Sequence, residues 1–238
     1  MNNSKLRTST TRARTKILSA YYGHPAKNLK LICITGSTGK AIVARYVHEI
    51  LQAANIKSAV LASDGNIKTS VIHKFLSDAK KNDANYAILT TPAEALNDNA
   101  FYGLPIHIAA LTNFIPSTLS GVSADEYLAA KTILFKMNPS YIILNQDDRH
   151  FADFVKFHGV KDTYTYGVDE GTTVRIDDFT LYKKGTEANL AIGFKNFSTA
   201  TFVTGEPAVS YMACAACIAS ALKVSTNIIS TGIANYED

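Results

Sequence analysis

Leu31-Ile-Cys-Ile-Thr-Gly36-Ser-Thr-Gly39-Lys40 reads as a strand, a glycine-bounded loop and the first turn of a helix. The run Leu29–Thr35 is short, apolar and β-branched, as a buried strand requires. Behind it, Lys40–Ala54 places Ile42, Val43, Tyr46, Val47, Ile50 and Leu51 on one helical face. Glycines let backbone N–H groups turn inward as an anion nest, and the helix N-terminus adds positive potential. Lys40 would reach a terminal phosphate as a point charge. The bland alternative is an ordinary strand-to-helix turn, because a bare G-x-x-G-K is short and Ile34 stands where the long phosphate-loop pattern has its first glycine. Ala41 follows the lysine, where Ser or Thr would put a hydroxyl on Mg²⁺.

The pattern repeats outward from this unit. Strands are expected at Ser58–Ala62, Tyr86–Leu89, Ile106–Leu111 and Tyr141–Leu144. Helices are expected at Thr69–Ala79, with Val71, Ile72, Phe75 and Leu76 inward, at Asp125–Lys136 and at Asp148–His158. Strand–helix alternation predicts an α/β fold: a mainly parallel sheet with helices on both faces. After Gly167 three runs, Val174–Tyr182, Ala188–Phe194 and Ser198–Val203, predict a small antiparallel β meander appended to it. Two helices close the chain, Ala208–Leu222 and Thr226–Tyr236. Residues 1–20 are a basic lead-in, either a solvated or helical terminus or a phosphate-touching arm, and 21–238 form one domain.

The chain has 238 residues, 47% of them hydrophobic, and a net charge of +4, so disorder and fibrous architectures are excluded. That charge suits an anionic small ligand and does not argue for nucleic acid. Basic and aromatic residues do not interleave, and no nucleic-acid or membrane partner is expected. Cys33, Cys214 and Cys217 sit in apolar runs and read as reduced core thiols. Cys214-Ala-Ala-Cys217 has half the spacing of a zinc site but no second pair. The N-terminus has no apolar signal segment, and a cytoplasmic location is expected.

Further segments then matter together. Thr112-Asn113 follows the strand Ile106–Leu111. Glu126-Tyr127-Leu-Ala-Ala-Lys131-Thr-Ile-Leu134-Phe135 lies downstream, and Tyr141-Ile-Ile-Leu-Asn145-Gln-Asp147-Asp148 comes next. In this order after the G-x-x-G-K loop, they resemble the central domain of the Mur ligases, closest to the muramyl-tripeptide synthetase branch. Tyr21-Tyr22-Gly23-His24-Pro25 fits that branch too. The resemblance implies a phosphate-loop α/β domain that binds ATP and Mg²⁺ and makes an acyl phosphate which an amine then displaces. It implies that Gly36, Ser37, Thr38, Gly39, Lys40 and Ala41 hold the phosphates, that Lys131 is a carbamylated lysine near a metal, and that Asn145, Asp147 and Asp148 face the nucleoside. On the residues alone, Lys131 could be a solvated helix lysine, and Asn145–Asp148 a strand-to-helix turn with an Asp cap.

This sequence departs from the family pattern at the chemistry. The strand that ends in a metal-binding Glu followed by S-S-H-A-L in the family reads here Leu89-Thr90-Thr91-Pro92-Ala93-Glu94-Ala95-Leu96. Thr90 takes the Glu position and Glu94 the His position, which leaves Glu94 as a candidate metal ligand. The family's D-H-L-D segment reads Ile115-Pro116-Ser117-Thr118-Leu119-Ser120-Gly121, and its G-x-F-N-x-x-N reads Gly205-Glu206-Pro207-Ala208-Val209-Ser210-Tyr211. Two Mg²⁺ ions need hard oxygen ligands that these changes remove. The expectation is an ATP-binding domain eroded in catalysis, a pseudoenzyme or nucleotide-binding scaffold. The chain ends where the resemblance places the end of the central domain. The family's N- and C-terminal domains are therefore expected to be absent: either a partner polypeptide supplies them, or the sequence is a trimmed piece of a longer chain, or the chain no longer ligates. The alternative is an active ATP-dependent acid–amino acid ligase, or its ATPase subunit, in peptidoglycan synthesis. An unrelated phosphate-loop kinase would need a strand-end carboxylate, and Thr90, Asn113 and Asn145 stand there instead.

Overall fold

Alternate residues of the central strands feed two different cores. From Lys30–Thr35 (β1), Ile32 and Ile34 point to one face and Leu31 and Cys33 to the other, all four fully buried. Tyr86–Thr90 (β3), Ile106–Leu111 (β4) and Tyr141–Asn145 (β5) divide in the same way. Strands buried on both faces read as continuous apolar runs, and here they form a parallel sheet. The computed structural model describes residues 2–63, 65–116, 123–157 and 162–237, without the side chains of residues 2–9.

The sheet has nine strands in the order β2-β3-β1-β4-β5-β6-β7-β8-β9, with β2 at Ser58–Leu61 and β6 at Thr163–Gly167. Val174–Tyr182 (β7) runs parallel to β6, and Gly185–Ile192 (β8) and Lys195–Thr201 (β9) then pair antiparallel. The three expected meander strands are present, but they are not an appendage. Val174 and Arg175 pair with Tyr166 and Gly167, so the meander continues the main sheet. Strand β6 (Thr-Tyr-Thr-Tyr-Gly) went unread because it lacks an aliphatic run and fully buries only its end, Tyr166 and Gly167.

One face is covered by Lys40–Ala53 (α2), Glu206–Ala221 (α7) and Thr226–Ala234 (α8). The other is covered by Thr69–Lys81 (α3), Ala93–Asn97 (α4), Ala124–Lys136 (α5) and Phe151–Val155 (α6). Asn2–Tyr21 is helical (α1) and ends where Gly23 and His24 both take left-handed backbone angles. None of the described helices is long and apolar enough to cross a membrane. Cys214 and Cys217 are fully buried in the α7 core, where burial pushes the Cys214 thiol up to about 12 and Cys217 well above its usual range. Such thiols are inert packing groups.

Two local expectations are corrected. Val71 is 46% exposed, because the α3 face that packs runs through Thr69, Ile72, His73 and Leu76. The helix expected from Asp148 begins only at Phe151: the Asp148 side chain accepts the N–H groups of Phe114 (2.7 Å) and His150 (2.9 Å) and holds a turn instead. His158, its expected end, lies outside the described residues.

Helix α5 starts with a reciprocal cap: Ser123 accepts the Glu126 N–H while the Glu126 carboxylate accepts the Ser123 N–H. Removing such a cap costs about 1 kcal/mol. Ser123→Ala is expected to lower the thermal midpoint by roughly 2–4 °C, and an unchanged melt would show that α5 is set by packing alone.

Candidate phosphate site

The crevice opens where the chain changes direction. From β1 the connection runs through α2 to β2 on one side, and from β4 it runs through α5 to β5 on the other. Ligands of open parallel sheets bind at such a switch point, beyond the carboxyl ends of the strands. The loop Gly36–Gly39 lies there. Gly36 and Gly39 take φ of +149° and +77°. A Cβ on Gly36 would stand 1.9 Å from Thr112 Oγ1, and one on Gly39 would stand 2.1 Å from the Tyr211 ring. Both positions therefore need glycine for shape as well as for backbone angle.

The loop is held from two sides, the segment after β4 and helix α7. Asn113, after β4, accepts the N–H groups of Ser37 (3.1 Å) and Thr38 (3.0 Å) on Oδ1 and donates from Nδ2 to Thr38 Oγ1 at 2.8 Å. Thr112 Oγ1 donates to the Thr38 carbonyl at 2.6 Å. Ser37 Oγ accepts the Ile115 N–H at 2.9 Å. From α7, the Tyr211 hydroxyl donates to Thr38 Oγ1 at 2.9 Å. Helix α2, by contrast, begins at Gly39 with no side-chain cap, so its first-turn N–H groups face the crevice with the positive end of the helix behind them.

Both lysines singled out in the sequence come to this loop. Lys40 Nζ donates to the Ser37 carbonyl at 3.4 Å and its side chain is largely buried. Lys131, on α5, is 1% exposed; its Nζ donates to the Gly36 carbonyl at 2.8 Å and lies 4.4 Å from the Tyr127 ring centre. Burial pulls the Lys131 amine down to about 7; the Lys40 charge pushes the same way, and Glu94 opposes it. Glu94 itself is exposed on α4, close enough that its charge also raises the Tyr127 hydroxyl, behind the larger effect of burial.

Asn145, Asp147 and Asp148 lie one strand away. Asn145 Oδ1 accepts the Asp147 N–H at 3.0 Å, and both Asp147 oxygens lie 3.2 Å from the Val168 N–H. With the Asp148 bonds given above, these groups are spent on backbone N–H groups. Asp147 and Asp148 also line a cavity of about 260 Å³ with Phe114, Ile115, Pro116 and Arg149. The Asn113–Ile115 segment links that cavity to the phosphate loop. Of the D-H-L-D replacement, 117–121 lie outside the described residues.

The donor set fits a phosphate; for a Mg²⁺, Glu94 is a described carboxylate whose charge reaches Tyr127 and Lys131 beside the loop. Ala41 offers no oxygen side chain. The Thr90 hydroxyl donates to the Ser63 carbonyl at 2.7 Å and accepts the Ser63 N–H at 2.9 Å, and it brings no negative charge to the strand end. Among the described residues no three His, Cys, Asp or Glu side chains gather as a metal set. The sequence reading missed Tyr211 as a site residue; its Gly-bounded approach to the loop crosses 173 positions and has no local signal. Thr112 and Asn113 had a signal, because they sit directly on the end of β4.

Comparison with known proteins agrees with this geometry. The Mur ligase middle domain model matches residues 34–219. A UDP-N-acetylmuramoyl-L-alanyl-D-glutamate–2,6-diaminopimelate ligase from Bacillus licheniformis is 26% identical over 206 residues, 76% of this chain and 41% of that protein. A UDP-N-acetylmuramyl-tripeptide synthetase from Borrelia garinii subsp. bavariensis is 29% identical over 214 residues, 72% of this chain and 40% of that protein. This chain thus spans about two fifths of the length of these relatives. The solved structure of a diaminopimelate ligase of the first kind superposes with a TM-score of 0.85 at 20% identity, over 98% of this chain and 51% of that one. The match covers the end of β1, the loop, both lysines and the α7 contact, and the chain belongs to the Mur ligase middle-domain family.

Proposed function

We propose that this chain binds the phosphates of ATP at Gly36–Ala41 but turns the nucleotide over weakly or not at all, as a nucleotide-binding scaffold that works with a partner polypeptide. The observation that carries the binding is the uncapped N-terminus of α2 behind the glycine loop, with Lys40 folded over it. A neutral Thr90 at the strand end and Ala41 after the lysine support the loss of turnover. Phosphoryl transfer rests on positioned metal and charge, so missing ligands cost orders of magnitude. The Asp147–Arg149 cavity is the nearest described space for the nucleoside, although both carboxylates already hold the backbone.

One observation favours a second reading, an active ATP-dependent acid–amino acid ligase or its ATPase subunit. The Lys131 amine, pulled down to about 7, is a nucleophile near neutral pH and could form the carbamate that the family resemblance implies.

Calorimetric titration of ATP into the full chain, with and without Mg²⁺, separates the two. The scaffold reading expects binding with little Mg²⁺ dependence and no sustained phosphate release. Lys40→Ala is expected to weaken that binding about tenfold or more, since a charged hydrogen bond contributes roughly 1.5–3 kcal/mol. Mg²⁺-dependent hydrolysis abolished by Lys40→Ala would establish the active reading instead. No heat of binding under either condition would sink both.

A further inference from the structure

A second cavity stands apart from the phosphate loop. It is a cleft of about 560 Å³ at the opposite end of the sheet, where β4 begins and α5 ends, and α1 forms one wall. Its floor is apolar, with Leu96, Leu104, Ile133 and Met137. Two cations stand on its rim, and no carboxylate is among the described residues that line it. Arg12 lies 4.7 Å from the Tyr102 ring centre, and its Nε donates to Asn99 Oδ1 at 3.4 Å. Lys136 Nζ lies 4.8 Å from the Phe157 ring centre. Each cation is therefore seated on an aromatic face, which fixes where its charge sits.

Helix α1 is placed for this arrangement. Its Thr15 is 1% exposed and bonds the Thr11 carbonyl (3.0 Å) and the Asn99 carbonyl (3.4 Å), which docks the helix against the loop that forms the opposite wall. One turn before Thr15, Arg12 is directed to the same loop. Small-molecule sites are mostly apolar concavities of roughly 300–1,000 Å³ with a few placed polar groups. An apolar floor under two cations and no anion is complementary to one ligand class.

We propose that this cleft binds a small amphipathic anion, an apolar chain or ring bearing a carboxylate, with the apolar part on Leu104, Ile133 and Met137 and the charge between Arg12 and Lys136. The basic N-terminal helix then has a role independent of the phosphate site: it supplies half of the charge recognition and one wall of the cleft.

Decanoate is a suitable probe, and decyltrimethylammonium is its charge-reversed counterpart. Methyl NMR of methionine-labelled full-length chain reads the site directly, because Met137 lines the cleft and Met212 is fully buried in the other core. Decanoate is expected to shift the Met137 methyl saturably and leave Met212 in place, and the ammonium analogue is expected to move neither methyl. Arg12→Glu and Lys136→Glu, both at exposed positions, should each weaken decanoate about tenfold with an unchanged thermal midpoint. Three outcomes overturn the proposal: an unmoved Met137, equal binding of the cationic analogue, or charge-reversal variants that bind as the parent chain does. A Met212 shift of equal size would mean nonspecific insertion and overturn it as well.

Discussion

Between about pH 7 and pH 10 the chain is expected to gain stability that a Lys131→Met variant does not gain. An unfolded lysine keeps its proton up to 10.5, whereas the folded Lys131 releases it at about 7. In that window the unfolded state binds more protons, so stability rises with pH, by at most about 1.4 kcal/mol per pH unit. Below pH 7 both states hold the proton and the full cost of the buried ammonium is present. Urea denaturation of the parent and the variant from about pH 6 to about pH 9.5 reads the difference. Relative to the variant, the parent should lose stability as pH falls toward 7 and gain it as pH rises toward 9.5. Parallel curves would show that the Gly36 carbonyl and the Tyr127 ring keep the ammonium charged in place. The same measurement bears on function, because the fraction of neutral amine sets how readily Lys131 could take up carbon dioxide.

The sheet was legible because its evidence is local. Leu31–Thr35 and Ile106–Leu111 divide apolar residues between two cores, and Gly36 marks where the first of them stops. The phosphate loop was legible for the same reason: strand, glycines and helix are contiguous. What escaped depends on distant pairing. Nothing in Val174–Tyr182 says that Val174 pairs parallel to Tyr166 before the hairpin begins. Nothing near Asp148 says that its carboxylate will accept the Phe114 N–H, 34 positions away, and stop a helix from starting. Tyr211 was visible only as a departure from the family pattern. Its place on the loop follows from α7 packing beside α2, which the order of strands determines and the residue pattern does not.

Gly232→Ala is expected to be strongly destabilising for so small a substitution. Gly232 lies in α8 at its crossing with α2, and a Cβ there would stand 2.3 Å from Ile50 Cα and 2.6 Å from Ile50 N. Those are backbone atoms of a fully buried residue, so no side-chain rotation relieves the clash. In an exposed helix the change would stabilise by about 1 kcal/mol. Here the helices must separate, and overpacking of this kind costs roughly 1–3 kcal/mol, more when backbone has to move. A net loss near 3 kcal/mol corresponds to a fall of roughly 6–12 °C in the thermal midpoint. Gly171→Ala, with nothing within 4 Å of the added methyl, is the matched control and should melt as the parent does. The effect should also reach the phosphate site. Helix α2 carries Ile50 at one end and begins at Lys40 on the loop, and the Tyr46 ring on its inner face packs on Tyr236, 5.0 Å between centres. Pushing α8 away tilts α2, and with it the N–H groups and the lysine that meet the anion. ATP affinity measured well below the lowered midpoint should therefore drop with stability. Full affinity in a destabilised Gly232→Ala would mean instead that Asn113, Thr112 and Tyr211 hold the loop independently of the helix behind it.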